Sequence, residues 1–490
     1  MDIRVRFAPS PTGNLHIGGA RTALFNFLFA KKHNGTLVLR IEDTDVERNT
    51  KAALISQLKD LSWLGLKYDE GVMPDGNLAT GEFGPYKQSE RLDIYTKYLD
   101  QLIKENKAYY CFLTTEEIAA EKQTCIDNNL PYRPTSKYRD LALEEAQKLI
   151  ANNTPFVIRL KAPKTPKQYT IHDIVRGVVK FDSQQAGDFV IARSNGMPMY
   201  NFCCVIDDSL MQISHVFRGE EHLTNTLKQL MLYEALNFTA PKFAHTSIIL
   251  NTSGKKLSKR DGAVSCDFYR ENGYLAAAVL NYMALLGWND GTEKEIYDIP
   301  ELIDKFSLET LNPTSPIFDE KKLQWINQQH IQKLSAEDLW QQISCFIDST
   351  AIPENYKTNW HIEFVQSFTS TFTTLLDAKT IFEQLTSPEL NFDTPAAEVL
   401  NWTSAKQVIF AWIEQLSLAK NDNLDTEWLS QAIKNIQQNT GHKGKDLFMP
   451  LRVAIIGRQH GAELKTLISL IPKNNLIYRA KSCINAMDNQ

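Results

Sequence analysis

The stretch from Arg4 to Gly19, reading Arg-Val-Arg-Phe-Ala-Pro-Ser-Pro-Thr-Gly-Asn-Leu-His-Ile-Gly-Gly, constrains this fold more than any other segment. Residues 3–8 alternate as a short strand. Pro9 and Pro11 stop it, because each lacks an N–H for a ladder and locks φ. From Gly18 to Ala30 the apolar positions Ala20, Leu24, Phe27 and Leu28 recur at helical spacing. A strand, a tight loop and a helix opening on two glycines aim bare backbone N–H groups and a helix dipole at an anion. His16 stands at the helix entrance, where an imidazole can donate to a phosphate oxygen as charge builds. The pattern is neither G-x-G-x-x-G nor a Walker loop, which disfavours dinucleotide and P-loop sites. Alone, His-Ile-Gly-Gly reads either as an anion site or as a plain helix start capped by histidine.

Residues 254–262 read Gly-Lys-Lys-Leu-Ser-Lys-Arg-Asp-Gly, with four cations in the six positions from Lys255 to Arg260. Such runs are usually solvated faces or nonspecific nucleic-acid patches. Here glycines flank the run and Ser247-Ile-Ile-Leu250 precedes it, which predicts a strand feeding a flexible loop. A loop bearing lysines can close over a triphosphate and offset the charge on a leaving pyrophosphate.

Together, His16-Ile-Gly-Gly19 and Lys256-Leu-Ser-Lys-Arg260 resemble the His-Ile-Gly-His and Lys-Met-Ser-Lys-Ser signatures of class I aminoacyl-tRNA synthetases. Gly19 in place of the second histidine is typical of the glutamyl branch, whose Pro-Ser-Pro-Thr-Gly-x-Leu-His-Ile-Gly-Gly-Ala-Arg-Thr-Ala-Leu pattern is matched from Pro9 to Leu24. The resemblance to bacterial glutamyl-tRNA synthetases continues through Leu39-Arg-Ile-Glu-Asp-Thr-Asp45, Trp63-Leu-Gly-Leu66, Gln88-Ser-Glu-Arg-Leu-Asp-Ile-Tyr95, Tyr200-Asn-Phe202 and Phe217-Arg-Gly-Glu-Glu-His222. It returns in Phe318-Asp-Glu-Lys-Lys-Leu-Gln-Trp-Ile-Asn327 and Met449-Pro-Leu-Arg452, and so spans nearly the whole chain.

The fold that the resemblance implies is α/β. A Rossmann-like catalytic domain (residues 1–107 and 187–262) is interrupted by a subdomain (108–186) that cradles the tRNA acceptor end. A helical stem-contact region (263–330) and an all-helical anticodon-binding domain (331–490) follow, not the β-barrels of glutaminyl enzymes. The periodicity itself predicts helices at 90–105, 115–128, 143–152, 274–286, 321–329, 337–347, 360–378, 405–419 and 426–438. Strand-like runs fall at 156–160 and 188–192, the second marking the return of the α/β pattern.

The resemblance also implies a reaction: ATP activates L-glutamate to glutamyl-adenylate, and the acyl group passes to the 3′-terminal adenosine of tRNA(Glu). Mg2+ would arrive with ATP instead of occupying a protein cage. A substrate with two carboxylates and one ammonium needs two cationic donors and one acid, and arginine forks suit carboxylates. Carried over position by position, Arg6 and Tyr200 hold the side-chain carboxylate and Arg218 the α-carboxylate, although the two arginines are interchangeable in this argument. Glu42, with Ala8 and Ser10, holds the ammonium. Cys204 stands in the same pocket at the position where certain relatives place asparagine. ATP lies against Thr12, His16, Gly18 and Gly19, with the adenine near Glu221, His222 and the backbone at Ile249 and Leu250. Lys259, seconded by Lys256, contacts the transition state. No side chain acts as a covalent nucleophile.

Composition sets the remaining bounds. A chain of 490 residues forms two to four domains, and no run approaches the roughly 18 apolar residues of a membrane span. Seven scattered cysteines and no leader-like start suit a cytoplasmic protein that does not engage membranes. The net charge of −5 conceals an asymmetry, because residues 430–490 carry nine Lys and Arg against three acids and the rest of the chain is strongly acidic. That basic tail would attract a phosphate backbone. Many relatives carry a Cys-x-Cys and Cys-x-His zinc site in the insertion. Here only Cys111 remains and Lys137-Tyr-Arg-Asp140 supplies no ligand, so no zinc is expected. A monomer is expected. Left open are an enzyme that also charges tRNA(Gln) and, from another class, a non-catalytic tRNA-binding paralogue. A glutaminyl enzyme and the truncated paralogue that modifies a tRNA base fit poorly with Arg6, the helical C-terminal half and the chain length.

Overall fold

A computed structural model describes residues 2–45, 47–76, 79–130, 132–258, 265–352 and 359–488. The chain divides into two compact units. One comprises residues 1–271 and 276–326, the other 272–275 and 327–490.

The first unit opens with β1 (Arg4–Phe7), α1 (Ile17–Lys32), β2 (Thr36–Leu39), α2 (Lys51–Trp63), β3 (Glu70–Val72), β4 (Ala79–Thr80) and α3 (Leu92–Lys104). β1, β2 and β3 run parallel, and β4 adds an antiparallel edge. An insertion follows: β5 (Ala108–Cys111), α4 (Thr115–Asp127), α5 (Leu143–Ala151), β6 (Val157–Leu160) and the hairpin of β7 (Gln168–Asp173) and β8 (Gly177–Asp182), with β9 (Val190–Ala192) just beyond it. The parallel pattern then resumes with α6 (Tyr200–Leu210), β10 (His215–Gly219), α7 (Leu223–Ala235) and β11 (Lys242–Thr246). Helices α8 (Cys266–Glu271), α9 (Ala276–Leu285), α10 (Ile299–Lys305) and α11 (Glu320–Lys333) complete the series, and the division between units falls within α11.

α1 is apolar on nearly every side, with Ala20, Leu24, Leu28 and Ala30 fully buried. It is covered by β1, β2 and β10 and also by α9 and α10. A helix buried all round needs no polar face. β10 packs beside β1 on the edge opposite β2, so the winding reverses direction between β1 and β10. Open α/β sheets bind ligands outside the carboxyl ends of their strands at such a reversal.

Three expectations need correction here. The run Ser247–Leu250 is not a strand: the ladder ends at Thr246. Beyond it the backbone is claimed by side chains and a distant loop: Ser247 O accepts from Arg21, Ile248 N–H donates to Glu220, and Leu250 N–H donates to Pro316 O at 2.9 Å. The strand read at 188–192 starts at Val190, and β9 pairs with β6, not with the parallel sheet of β1, β2 and β3. The helix read over 360–378 is broken. It runs Trp360–Phe368 and restarts at Leu375–Thr386. Between them lies Thr369-Ser-Thr-Phe-Thr-Thr374, whose hydroxyls compete for backbone: Thr371 Oγ1 donates to Phe368 O at 2.7 Å, and Asp377 caps Thr373 and Thr374.

Among the described residues of the second unit, all regular structure is helical. After α11 come α12 (Ala336–Ile343), α13 (Trp360–Phe368), α14 (Leu375–Thr386), α15 (Thr394–Leu400), α16 (Ala405–Leu418), α17 (Thr426–Thr440), α18 (Lys445–Ile456), α19 (Leu464–Ile468) and α20 (Lys473–Asp488). Trp340, Trp360, Phe364 and Phe382 pack α12, α13 and α14 into one aromatic cluster, with Trp360 stacked on Phe364 at 5.4 Å. Not every cation of the basic tail faces outward. Arg479 is fully buried and donates to the carbonyls of Ile455, Gln384, Leu385 and Ser387, where α14 and α18 end. Burial pushes its guanidinium down to about 10. Among the described residues no helix is long and apolar enough to cross a membrane.

Candidate active site

A cleft of about 720 Å³ opens where the carboxyl ends of β1, β2, β10 and β11 meet. Each strand delivers lining residues: Ala8 and Ser10 after β1, Glu42 after β2, Glu221 and His222 after β10, and Ser247 to Ile249 after β11. Arg6 and Arg218, at the ends of β1 and β10, also reach it, as do Tyr200 from α6 and Thr12, His16, Gly18 and Gly19 from the loop that starts α1. The loop is pinned from α2, where Gln57 Nε2 donates to Ser10 O at 3.2 Å and Gly13 O at 2.7 Å.

His16 caps α1. Its Nδ1 accepts the Gly19 N–H at 3.0 Å, so the proton of a neutral ring sits on Nε2. A Cβ on Gly18 would lie 3.1 Å from the imidazole, tighter than ordinary contact. Gly18→Ala is therefore expected to displace the ring, as read from the His16 imidazole proton resonances, while the melting temperature shifts by only about a few degrees. Unmoved resonances would show that the ring tolerates the methyl.

The lysine segment reaches the same cleft through Lys256, Leu257 and Ser258. Leu250 bridges to Lys256, and Leu257 N–H donates to Ile249 O at 2.9 Å. Lys256 Nζ lies 3.4 Å from Glu221. On the far side, Ser265 bridges to His16 and Cys266 N–H donates to Leu15 O at 2.8 Å. Both flanks of the segment thus anchor at the cleft. Lys259 itself lies outside the described residues.

Two candidates fall outside the lining. Leu250 sits behind it as the rung that carries Lys256 and pairs with Phe318. Cys204 is buried one layer down, its sulfur 3.6 Å from Arg40 and 3.7 Å from Asp208, and burial drives its thiol up to about 12.

Below the cleft lies a set of charges that the sequence did not reveal. Arg40, fully buried, pairs with Glu42 at 3.1 Å and Asp208 at 2.7 Å. Arg6 Nε pairs with Asp208 at 3.2 Å. Asp207 takes Arg91 at 2.7 Å, Gln88 at 2.8 Å and Tyr95 at 2.9 Å. Burial opposes the charge on Asp208, but Arg6 and Arg40 outweigh it and hold its carboxyl below the usual range. For Glu42 burial prevails over the same two arginines and the carboxyl is raised. The only hint in the sequence was charge inside apolar runs, as in Leu37-Val-Leu-Arg-Ile41 and Cys203-Cys-Val-Ile-Asp-Asp208.

Arg218 differs from these arginines. Its Nη2 donates to Thr226 at 2.7 Å and Gln229 at 2.9 Å, and its Nε to His245 at 3.0 Å. Nη1 is buried without a hydrogen-bond partner among the described residues. A buried guanidinium N–H left open costs free energy unless an acceptor takes it, so Nη1 is available to an anion. Tyr200 Oη lies 3.4 Å from His222 Nδ1, and burial together with Arg218 pushes this imidazole down to about 4, so it is neutral near pH 7. Among the described residues no group of three or more His, Cys, Asp or Glu is placed to hold a metal ion.

The catalytic-domain family of tRNA synthetases class I (E and Q) matches residues 2–325, and an anticodon binding domain family matches residues 320–484. The chain belongs to the class I tRNA synthetases of this E and Q family. It is 46% identical to the glutamate–tRNA ligase of Bdellovibrio bacteriovorus, over 98% of each chain. It is 42% identical to that of Geobacillus stearothermophilus, over 99% of each. A crystal structure of a glutamate tRNA ligase from Elizabethkingia meningosepticum, in complex with its amino acid, superposes with a TM-score of 0.85 at 32% identity, covering 99% of both chains. As a synthetase of this family the chain is an enzyme, and both halves of its architecture, α/β and helical, are those of the family.

Proposed function

We infer that the chain is a glutamate–tRNA ligase that activates L-glutamate with ATP and transfers the glutamyl group to the 3′-terminal adenosine of tRNA(Glu). The observation that carries this reading is the single cleft that joins a phosphate-type turn at His16 and Gly18 to Lys256 on one side and to Arg6, Arg218 and Glu42 on the other.

In the first step the glutamate α-carboxylate oxygen attacks the α-phosphorus of ATP and pyrophosphate leaves. His16 Nε2–H and the N–H groups opening α1 donate to the phosphates. Lys256 and Lys259 neutralise the departing pyrophosphate, and magnesium travels on the nucleotide. In the second step a ribose hydroxyl of the terminal adenosine attacks the acyl carbon and AMP leaves. Positioning and charge stabilisation supply the rate, with no covalent enzyme intermediate. Arg218 takes one substrate carboxylate on Nη1, Arg6 and Tyr200 the other, and Glu42 the ammonium. Glutamine lacks one anion and would leave a buried guanidinium without its partner, at about 3 kcal/mol or more. The insertion at 108–186 receives the acceptor end, 263–330 the stem and 331–490 the anticodon, in a monomer.

The test is pyrophosphate exchange on ATP with glutamate or glutamine, with and without tRNA(Glu) and tRNA(Gln). Exchange that requires glutamate is expected. Exchange on glutamine and not on glutamate would overturn the reading.

A further inference from the structure

Asp173 ends β7, and its two carboxylate oxygens do different work. Oδ1 accepts the N–H groups of Val175 at 3.0 Å and Arg176 at 2.8 Å, which turns the hairpin. Oδ2 accepts from His245 Nδ1 at 2.6 Å, and the His245 backbone N–H is shared between Oδ2 at 3.2 Å and Oδ1 at 3.3 Å. His245, on β11, is fully buried, and its Nε2 faces Arg218 Nε at 3.0 Å. A guanidinium only donates, so Nε2 is the acceptor and the imidazole proton sits on Nδ1, toward Asp173. Burial and the neighbouring Arg218 charge favour this neutral ring. Carboxylate, imidazole and guanidinium thus form one line, with a single proton between each pair. Thr226 and Gln229 fix the other edge of Arg218, and the Phe243 ring lies 5.5 Å beneath it. The fork is fully oriented, with Nη1 alone uncommitted.

Oδ2 is not needed to build the hairpin. The turn uses Oδ1, and Ile174 N–H already ties the hairpin to Phe243 O of β11 at 2.9 Å. We propose that Asp173 and His245 are positioning residues of the amino-acid pocket: the turn of the inserted hairpin, acting through one imidazole, sets the orientation in which Arg218 receives a substrate carboxylate. This rests on the glutamate reading of the cleft.

Asp173→Asn isolates the effect. The turn N–H groups claim the amide oxygen, so the amide NH2 faces His245 Nδ1 and the ring proton moves to Nε2. Nε2 then no longer accepts from Arg218 Nε, its proton turns toward Thr226 Oγ1 at 3.2 Å, and the fork loses one of its three anchors. The expected result in pyrophosphate exchange is a KM for glutamate raised about tenfold or more. The KM for ATP should stay within about twofold and kcat at saturating glutamate within about threefold. Tyr169→Phe is the control, since it removes a 2.7 Å bond to Glu234 that supports the same hairpin off the line, and it should leave glutamate KM unchanged. Should Asp173→Asn not fold, proton NMR of the wild-type protein decides: the Asp173–His245 hydrogen bond gives a far-downfield imidazole resonance, absent in His245→Gln, that moves when glutamate is added. An unaltered glutamate KM in folded Asp173→Asn, an equal rise in Tyr169→Phe, or a resonance that saturating glutamate leaves in place would overturn the proposal. A wild-type enzyme that fails to exchange on glutamate would instead end the functional reading on which the proposal rests.

Discussion

Arg218→Gln is expected to raise the KM for glutamate by roughly a hundredfold or more, with the KM for ATP within about threefold of wild type. Losing one partner of a buried charge pair typically costs about 3–5 kcal/mol, and every 1.4 kcal/mol is a factor of about ten. Arg218 already serves His245, Thr226 and Gln229 from one planar fork, and its Nη1 has no partner among the described residues. Arg218→Lys should recover little of the loss, because a point ammonium cannot meet three fixed acceptors and a carboxylate at once. Steady-state exchange kinetics over a wide glutamate range measures it. A KM within threefold of wild type in Arg218→Gln would remove this residue from the pocket.

The second large effect belongs to the lysine segment and has the opposite kinetic signature. Lys259→Ala is expected to lower kcat for exchange by about 10²–10³-fold, the range seen when a donor to developing charge is removed, with glutamate KM nearly unchanged. Lys256→Ala should show the same split at smaller size. Lys256 reaches the cleft but shares its charge with Glu221 at 3.4 Å. Binding energy felt only in the transition state lowers kcat without altering ground-state affinity. A kcat within tenfold of wild type in Lys259→Ala, or a parallel rise in glutamate KM, would refute the assignment.

The parts of the site that follow from local chain chemistry were legible in the sequence. Two prolines, a histidine cap and two glycines dictate the turn before α1 wherever it occurs, and the flanks of the lysine segment meet that turn as expected. Parts that depend on pairing between distant elements were not legible. Asp208 serves Arg6 across 202 residues, and Asp173 serves His245 across 72. Neither carries a local signal, because an aspartate after an apolar run looks the same whether it faces water or an arginine. The places of Leu250 and Cys204 outside the lining were hidden for the same reason. Each is adjacent to the site in sequence, but one supports Lys256 and the other fills space beneath the arginines. The break at 369–374 was legible in principle, since a run of threonines is a poor helix interior. Apolar periodicity on either side masked it.

Three guanidinium groups and three carboxylates share the floor of the cleft: Arg6, Arg40 and Arg91 with Glu42, Asp207 and Asp208. Such a balanced, water-poor foundation resists piecemeal change, for deleting any single member leaves the other five with an unbalanced charge in the interior. If the cleft holds the amino acid as proposed, its preference is therefore inherited as a block. A lineage or an engineer seeking a neutral side chain must alter the foundation in compensating pairs before the visible wall of the pocket can follow.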